Sequence, residues 1–204
     1  MAITLNGTGT IDLGSNGSIA NLAVGGVPNG TIDADALAAN AVTSGKLASG
    51  VGGKVIQVKS TTLTTMVTAS SGGPTSYNDI AGFSVDIIPA TGNRVLVHWI
   101  ANYSNASDNN DFIKLIRGST DIYVTTESSL GVGGGSSFPR LPSAWMIYPS
   151  VGMHLDLTPG GDGTTTITYK LAWSGEGGTR CLNRRSGNQD VGVASSITVM
   201  EVSP

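Results

Sequence analysis

Short stretches in which apolar and polar residues alternate recur from Lys54 to the C-terminus, and clusters of Gly, Pro, Asn and Asp separate them. The stretch from Phe83 to Ile87 has the period-two pattern of a strand with one buried face. The segments 112–117 and 121–125 flank Gly118-Ser119, which predicts a β-hairpin. The region lacks the three-to-four residue period of a long helix, so we predict strands throughout.

The composition agrees with many short strands joined by tight turns. Glycine supplies 29 of the 204 residues, and its backbone entropy disfavours long helices. We therefore predict an all-β fold, with residues 54–204 forming an antiparallel β-sandwich knob. A jelly roll is the first choice and an immunoglobulin-like sandwich is the alternative. We expect Trp99, Trp145 and Trp173 to pack in its core.

Residues 1–53 differ from the rest of the chain because they contain no aromatic residue. Aromatic rings supply much of the buried area of a small core, so this segment is not expected to fold alone. Asn6-Gly7 and Asn16-Gly17 fit two-residue hairpin turns, which predicts a β-meander attachment segment over residues 1–30. Asp33 can cap a short Ala-rich helix, so residues 31–53 are predicted to form a short helix and a Gly-rich stalk or hinge.

A segment of this kind has to bury its apolar side chains against sister subunits or another protein surface. Its small side chains allow helices to approach closely, which suits a three-chain stalk. The predicted trimer and attachment interface consists of Ile3, Leu5, Ile11, Leu13, Ile19, Leu22, Leu37, Ala41, Val42 and Leu47.

Residues that could carry chemistry are sparse and scattered. His98 lies within an apolar strand pattern, and His154 follows a strand pattern with its side chain on the polar face. Two distant histidines and the single Cys181 do not make a zinc site. The run Gly131 to Gly135 lacks the Gly-Lys-Ser/Thr ending of a phosphate loop. We therefore predict no catalytic site, no cofactor, no metal and no enzymatic activity.

Charge and hydropathy argue against two classes of partner. The net charge is −3, and Arg184-Arg185 is the only adjacent basic pair, so nucleic-acid binding is not expected. The sequence has no apolar run near the ~20 residues that a membrane-spanning helix needs, so we expect no membrane insertion. The first residues also lack the charged start and apolar core of a secretory signal.

Four segments resemble phrases found in tailed-bacteriophage fibre proteins. The segment from Gly30 to Ala48 resembles their stalk, and 94–104, 114–122 and 196–202 resemble strands of their C-terminal knobs. This resemblance implies a homotrimer on the exterior of a virion, with a thin N-terminal attachment region and a jelly-roll head. It says nothing specific about a ligand.

Three functions remain open from the sequence. The first is a tail fibre or receptor-binding knob, which docks on the tail or baseplate and contacts host surface polysaccharide. The second is a capsid decoration protein, in which residues 1–53 bind where major capsid subunits meet. The third is a polysaccharide-degrading enzyme, which would need a pair of carboxylates that the spacing does not suggest. The candidate ligand-contact residues are Tyr103, Asn105, Asp108, Asn109, Asn110, Arg184 and Arg185.

Overall fold

The computed structural model describes residues 42, 55–70, 72–106, 109–124, 136–138, 145–187 and 190–204. The chain divides into two units, Met1–Gly52 and Gly53–Pro204, and the strands below belong to the second unit. The predicted attachment segment, the short helix and the hinge lie outside the described residues. Val42 is the one member of the predicted trimer interface that is described, and its side chain is 51% exposed. The others lie outside the described residues: Ile3, Leu5, Ile11, Leu13, Ile19, Leu22, Leu37, Ala41 and Leu47.

The described residues contain eleven β-strands and no helix. In chain order the strands are β1 (Val55–Leu63), β2 (Val67–Ser70), β3 (Gly73–Ile87), β4 (Arg94–Asn105), β5 (Asp111–Arg117), β6 (Thr120–Tyr123), β7 (Ser136–Phe138), β8 (Tyr148–Asp156), β9 (Ile167–Gly175), β10 (Thr179–Leu182) and β11 (Ser195–Val202).

The strands form two antiparallel sheets that pack face to face. The first sheet has the order β1-β11-β4-β10-β2, with β8 on the free edge of β4. In it, β11 pairs with residues 94–100 of β4 and β10 pairs with residues 103–105. The second sheet has the order β3-β9-β5-β6, with β7 also paired to β5. The chain passes repeatedly from one sheet to the other, which is the connectivity of a jelly roll. The predicted all-β jelly roll is confirmed.

The core lies between the two sheets and is built from the residues that alternate inward. Phe83 to Ile87 behaves as predicted, because Phe83, Val85 and Ile87 are buried. Trp99 and Trp173 are fully buried, one on each sheet. The prediction for Trp145 was wrong, since this side chain is 55% exposed. It lies in the turn before β8 and therefore precedes the strand that would have placed it inward.

Two strand boundaries show how turn chemistry decides local structure. The predicted hairpin is present, and Gly118 takes a positive φ of 59° between β5 and β6. The β-branched run from Thr164 to Ile167 is also typical of a strand, but β9 begins only at Ile167. The Asp162 carboxylate accepts hydrogen bonds from the backbone amides of Thr164 (2.7 Å) and Thr165 (2.6 Å). Those bonds hold residues 162–165 in a turn, so the strand begins after them.

Candidate interaction surfaces

A buried ion pair lies inside one end of the sandwich, where β5 begins. Asp111 of β5 and Arg180 of β10 are both buried, and their Oδ1 and Nη1 atoms are 3.7 Å apart. Asn105 donates a hydrogen bond of 2.5 Å to the other oxygen of Asp111. Arg180 also donates to the backbone oxygen of Ser70 (3.1 Å). The pair therefore connects the second sheet to strands β4, β10 and β2 of the first.

Burial changes the acidity of both members of this pair. Loss of water raises the pKa of the Asp111 carboxyl to about 7, even though the Arg180 charge acts in the opposite direction. Burial likewise lowers the pKa of the Arg180 guanidinium, against the effect of Asp111. A Cβ atom at Gly175 would overlap the Asp111 carboxylate, so only glycine fits at this end of β9.

Two loops at this end of the sandwich are joined by hydrogen bonds. The Asn110 side chain donates to Glu176 Oε2 (2.9 Å), and the Glu176 amide donates to the Asn110 carbonyl oxygen (3.1 Å). Asn105 adds a bond of 3.2 Å to the Gly177 carbonyl oxygen. We call the group Asn109, Asn110, Glu176 and Gly177 the loop end. The Asn105 amide connects the loop end to the buried Asp111–Arg180 pair, because it donates to both the Asp111 carboxylate and the Gly177 carbonyl oxygen.

The structure divides the predicted ligand-contact residues into three groups. Tyr103 and Asn105 are buried, so their prediction as surface-loop contacts was wrong. Strand β4 continues to Asn105, and the Tyr103 ring packs edge-on against Trp173 with ring centres 6.5 Å apart. Asn109 and Asn110 lie at the loop end. Asp108 lies outside the described residues.

The two predicted contact arginines lie beyond β10, away from the hydrogen bonds of the loop end. Arg184 donates to the backbone oxygen of Asn183 (2.7 Å) and accepts a bond from the Ser104 hydroxyl at its own carbonyl oxygen (2.7 Å). Arg185 is paired with Asp190 at 3.4 Å. The Ser104 bond ties the segment after β10 to the end of β4, and both arginines have structural partners.

The described residues contain no group of three or more His, Cys, Asp or Glu side chains placed to hold a metal ion. His98 and His154 point to opposite sides of the first sheet, because His98 pairs across strands with Met153. The prediction that His154 lies on a polar outer face was wrong, since its ring packs inward, 5.4 Å from that of Tyr123. Cys181 is buried, and burial raises the pKa of its thiol.

No helix long and apolar enough to cross a membrane occurs in the described ranges.

The outer surface of the first sheet is unusual in its chemistry. Cross-strand pairing aligns residues of β1, β11, β4 and β8 in rows. We call three of these rows the uncharged face, because they contain no Asp, Glu, Lys or Arg. The rows are Val58, Met200, Leu96 and Leu155; Ser60, Thr198, His98 and Met153; and Thr62, Ser196, Ile100 and Val151. On the edge strand β8, the side chains of Val151 and Met153 are 57% and 63% exposed.

The outer surface of the second sheet has the opposite character. Lys114 pairs with Asp121 at 2.8 Å, and Lys170 pairs with Asp79 at 2.6 Å. Asp86 accepts a hydrogen bond of 2.6 Å from the Thr168 hydroxyl. This surface has the charged and polar side chains expected of a face that stays in water.

The strand order and these surfaces define a jelly-roll β-sandwich protein. No family model matches the sequence, and no curated protein matches it. Among solved structures, the chain is similar to the Eiger TNF of S. frugiperda, with 14% identity and a TM-score of 0.34. The match covers 74% of this chain and 94% of that one. At this level the likeness says nothing about what the chain binds.

Proposed function

We propose that this chain is a non-enzymatic structural protein of a tailed phage, the trimeric knob of a tail fibre that contacts the host surface. The observation that carries the proposal is the loop end, where two loops are held against each other by hydrogen bonds and supported by a buried ion pair. The resemblance of the stalk and knob segments to fibre proteins supports it, as does a leader without aromatic residues that needs partner chains.

A loop end built in this way suits a polar polymer as the ligand. Asn110 and Glu176 are exposed and present amide and carboxylate groups, which bind sugar hydroxyls. Because the two loops are already fixed, little conformational entropy is lost on binding. Contacts of this kind are weak singly, and three copies on one fibre would strengthen them through effective concentration. Host surface polysaccharide is therefore the proposed ligand class.

The location of the protein in the particle tests the proposal most directly. Gold-labelled antibody raised against the purified chain should bind the tail tips of virions that encode it, at a few copies per particle. Labelling of the head at dozens to hundreds of copies would replace the tail-fibre proposal with a capsid decoration role. Absence from purified particles would overturn both virion roles.

The ligand surface is tested by binding to host cells. The double variant Asn110→Ala/Glu176→Ala should lose most of its adsorption, because it removes the two exposed polar groups of the loop end. Asp79→Ala, on the outer face of the second sheet, is the matched control and should adsorb normally. Equal adsorption by both variants would show that the loop end is not the contact surface. Release of shortened chains from purified host polysaccharide would contradict the non-enzymatic role.

A further inference from the structure

We infer that the uncharged face is the surface through which copies of this chain contact one another. The number of copies, three, rests on the proposed function, whereas the choice of surface rests on the first sheet alone. The inference assigns a partner, a second copy of the knob, to a surface for which the sequence suggested none.

The first argument comes from strand β8, whose polarity is inverted. Its outward residues Val151, Met153 and Leu155 are apolar and exposed. Its inward positions hold small or polar residues, with Gly152 facing the Trp99 ring and Asp156 buried against Arg117. A strand in a monomer turns its apolar side toward the core. In β8 the apolar side faces away from the only core described, so we expect another protein surface to cover it.

The second argument is that the exposed apolar residues are adjacent. Leu96 pairs with Leu155, His98 with Met153, and Ile100 with Val151 across β4 and β8. On the other side of β4, Leu96 pairs with Met200, which pairs in turn with Val58 of β1. Neighbouring strands are ~4.8 Å apart, so these side chains form one continuous patch. Continuous apolar patches mark interaction sites, whereas isolated exposed apolar residues do not.

Charge identifies a second copy as the occupant. Where copies related by a rotation axis converge on that axis, equivalent residues approach one another, and contacts between equal charges are unfavourable. The uncharged face avoids this cost because none of its rows contains an acidic residue, a lysine or an arginine. The buried acidic residues of the first sheet point inward: Asp156 pairs with Arg117, and Glu201 accepts hydrogen bonds from Asn93 (2.6 Å) and the Ala90 amide (2.8 Å). The exposed Arg94, which pairs with Val202, lies at the border of the uncharged face and outside its three rows.

The uncharged face supplies the centre of a contact area with another copy, and neighbouring residues supply the rest. Four strands at ~4.8 Å spacing and the five residues of each strand that the three rows span, at ~3.3 Å each, give a footprint on the order of 300 Å² before the relief of side chains is counted. A standard interface buries about 800 Å² on each partner. The exposed side chains of Val55 and Ile56 at the start of β1 and of Leu157 just after β8 extend the patch toward that area, and Arg94 lies among them at its border.

A cyclic assembly through this face has a consequence for binding. Rotation about one axis relates the copies, so their equivalent loop ends lie at one level along that axis. All the loop ends then face the same side of the particle, as a multivalent contact with a cell surface requires. The assembly face and the loop end are thus separate surfaces with complementary tasks.

The first test measures assembly of the full-length chain by light scattering over a dilution series. We expect the wild type to show three times the 20.7 kDa chain mass. Met153→Lys should raise the concentration at which the assembly dissociates at least tenfold, because a lysine charge would be buried between copies. Ile88→Lys is the matched control, since Ile88 is exposed but lies outside the uncharged face, and it should assemble normally. If the Met153→Lys assembly dissociated at the same concentration as the wild-type assembly, the inference would be overturned.

The second test needs no substitution and identifies the occupant. In a single chain Met153 is more exposed than Met66 (63% against 38%), so peroxide should oxidise Met153 faster. In the assembly the order should reverse, and dilution to the single-chain mass should restore it. Protection of Met153 that persists at the single-chain mass would show that the chain's own leader covers the face, which overturns the inference. If the antibody did not label virions but both assembly tests gave the expected results, the proposed function would be rejected and the inference about the assembly face would stand.

Discussion

The outer surfaces of the two sheets of the sandwich differ in the charge that they carry. The second sheet turns Lys114, Lys170 and their acidic partners outward into water. The first sheet turns Arg180, Asp156 and Glu201 inward, and the three rows of its uncharged face carry no charge. The difference teaches that a charged residue in this fold has one of two roles. A charged residue that points outward keeps a surface hydrated, and one that points inward fixes the geometry between the sheets.

The inward charges act at both ends of β5. Asp111, at the start of this strand, pairs with Arg180, and Arg117, at its end, donates to both carboxylate oxygens of Asp156 at 2.9 and 2.8 Å. The Tyr169 hydroxyl also donates to Asp156 (2.8 Å). One strand of the second sheet is thereby tied to the first sheet by two ion pairs, which sets the relative position of the sheets.

The largest effect is expected when one partner of the buried pair is removed. Above pH 7, where Asp111 is ionised, Arg180→Met leaves the Asp111 carboxylate buried without its counter-charge, and such changes cost about 3–5 kcal/mol. The free energy of unfolding, measured by urea denaturation, should fall by that amount. The double variant Arg180→Met/Asp111→Leu should recover most of it, because both charges are then absent. A single variant as stable as the wild type would mean that the inward charges do not stabilise the contact between the sheets.

The pH dependence of stability gives the next largest effect. Burial raises the pKa of Asp111 from 3.8 to about 7, so between these pH values the folded chain holds a proton that the unfolded chain has released. The free energy of unfolding should therefore fall as pH rises through this window, by at most about 1.4 kcal/mol per pH unit. Urea denaturation of the wild type at several pH values measures the slope.

Asp111→Asn is the control for this slope, because it removes the titrating group and keeps its size. The decline between pH 4 and 7 should disappear in the variant, even though the variant is less stable at every pH. Glu201 does not interfere: burial acts to raise its pKa, but its hydrogen bonds together lower it below the usual 4.5. The stability that Glu201 contributes is lost only as pH falls below that value. An unchanged slope in Asp111→Asn would assign the pH dependence to another group.

A smaller effect is expected on the inward side of β8. A Cβ atom at Gly152 would overlap the indole ring of Trp99, so Gly152→Ala should destabilise the fold by about 1–3 kcal/mol. In the double variant Gly152→Ala/Trp99→Phe the smaller ring leaves room for the methyl group. Its loss of stability, measured by thermal unfolding, should be less than the sum of the two single losses. Additive losses would mean that the overlap is relieved without cost.

Much of the fold follows from local sequence patterns. The alternation in 83–87 and the Gly118-Ser119 turn were enough to predict buried strands and a hairpin, because both features depend on neighbouring residues. Burial of Asn105 could not be predicted in this way. Its hydrogen-bond partner Asp111 is close in sequence, but Arg180, which pairs with Asp111, lies on a strand 75 positions further along the chain (180 − 105). A polar residue at the end of a strand is indistinguishable from a loop residue until that partner is known.

The uncharged face was hidden from the sequence for a related reason. Val151, Met153 and Leu155 alternate with Gly152 and His154, and this pattern predicts that the apolar residues face the core. The structure reverses the two sides of β8, because the Trp99 ring occupies the space above Gly152 and leaves no room for a larger side chain there. Periodicity shows which residues share a side of a strand, but not whether that side meets the core or another chain.

The smallest effect should come from the outward charges of the second sheet. Lys170→Met removes the 2.6 Å pair with Asp79, whose side chains are 26% and 55% exposed, and surface pairs of this kind contribute about 0.2–1 kcal/mol. Because water and salt screen the pair, the stability difference between this variant and the wild type should shrink toward zero in 1 M NaCl, where the Debye length is about 3 Å. The loss caused by Arg180→Met should persist in the same salt, since that pair is buried. If Lys170→Met proved as costly and as insensitive to salt as Arg180→Met, inward and outward charges would not differ in role, and the contrast between the two sheets would fail.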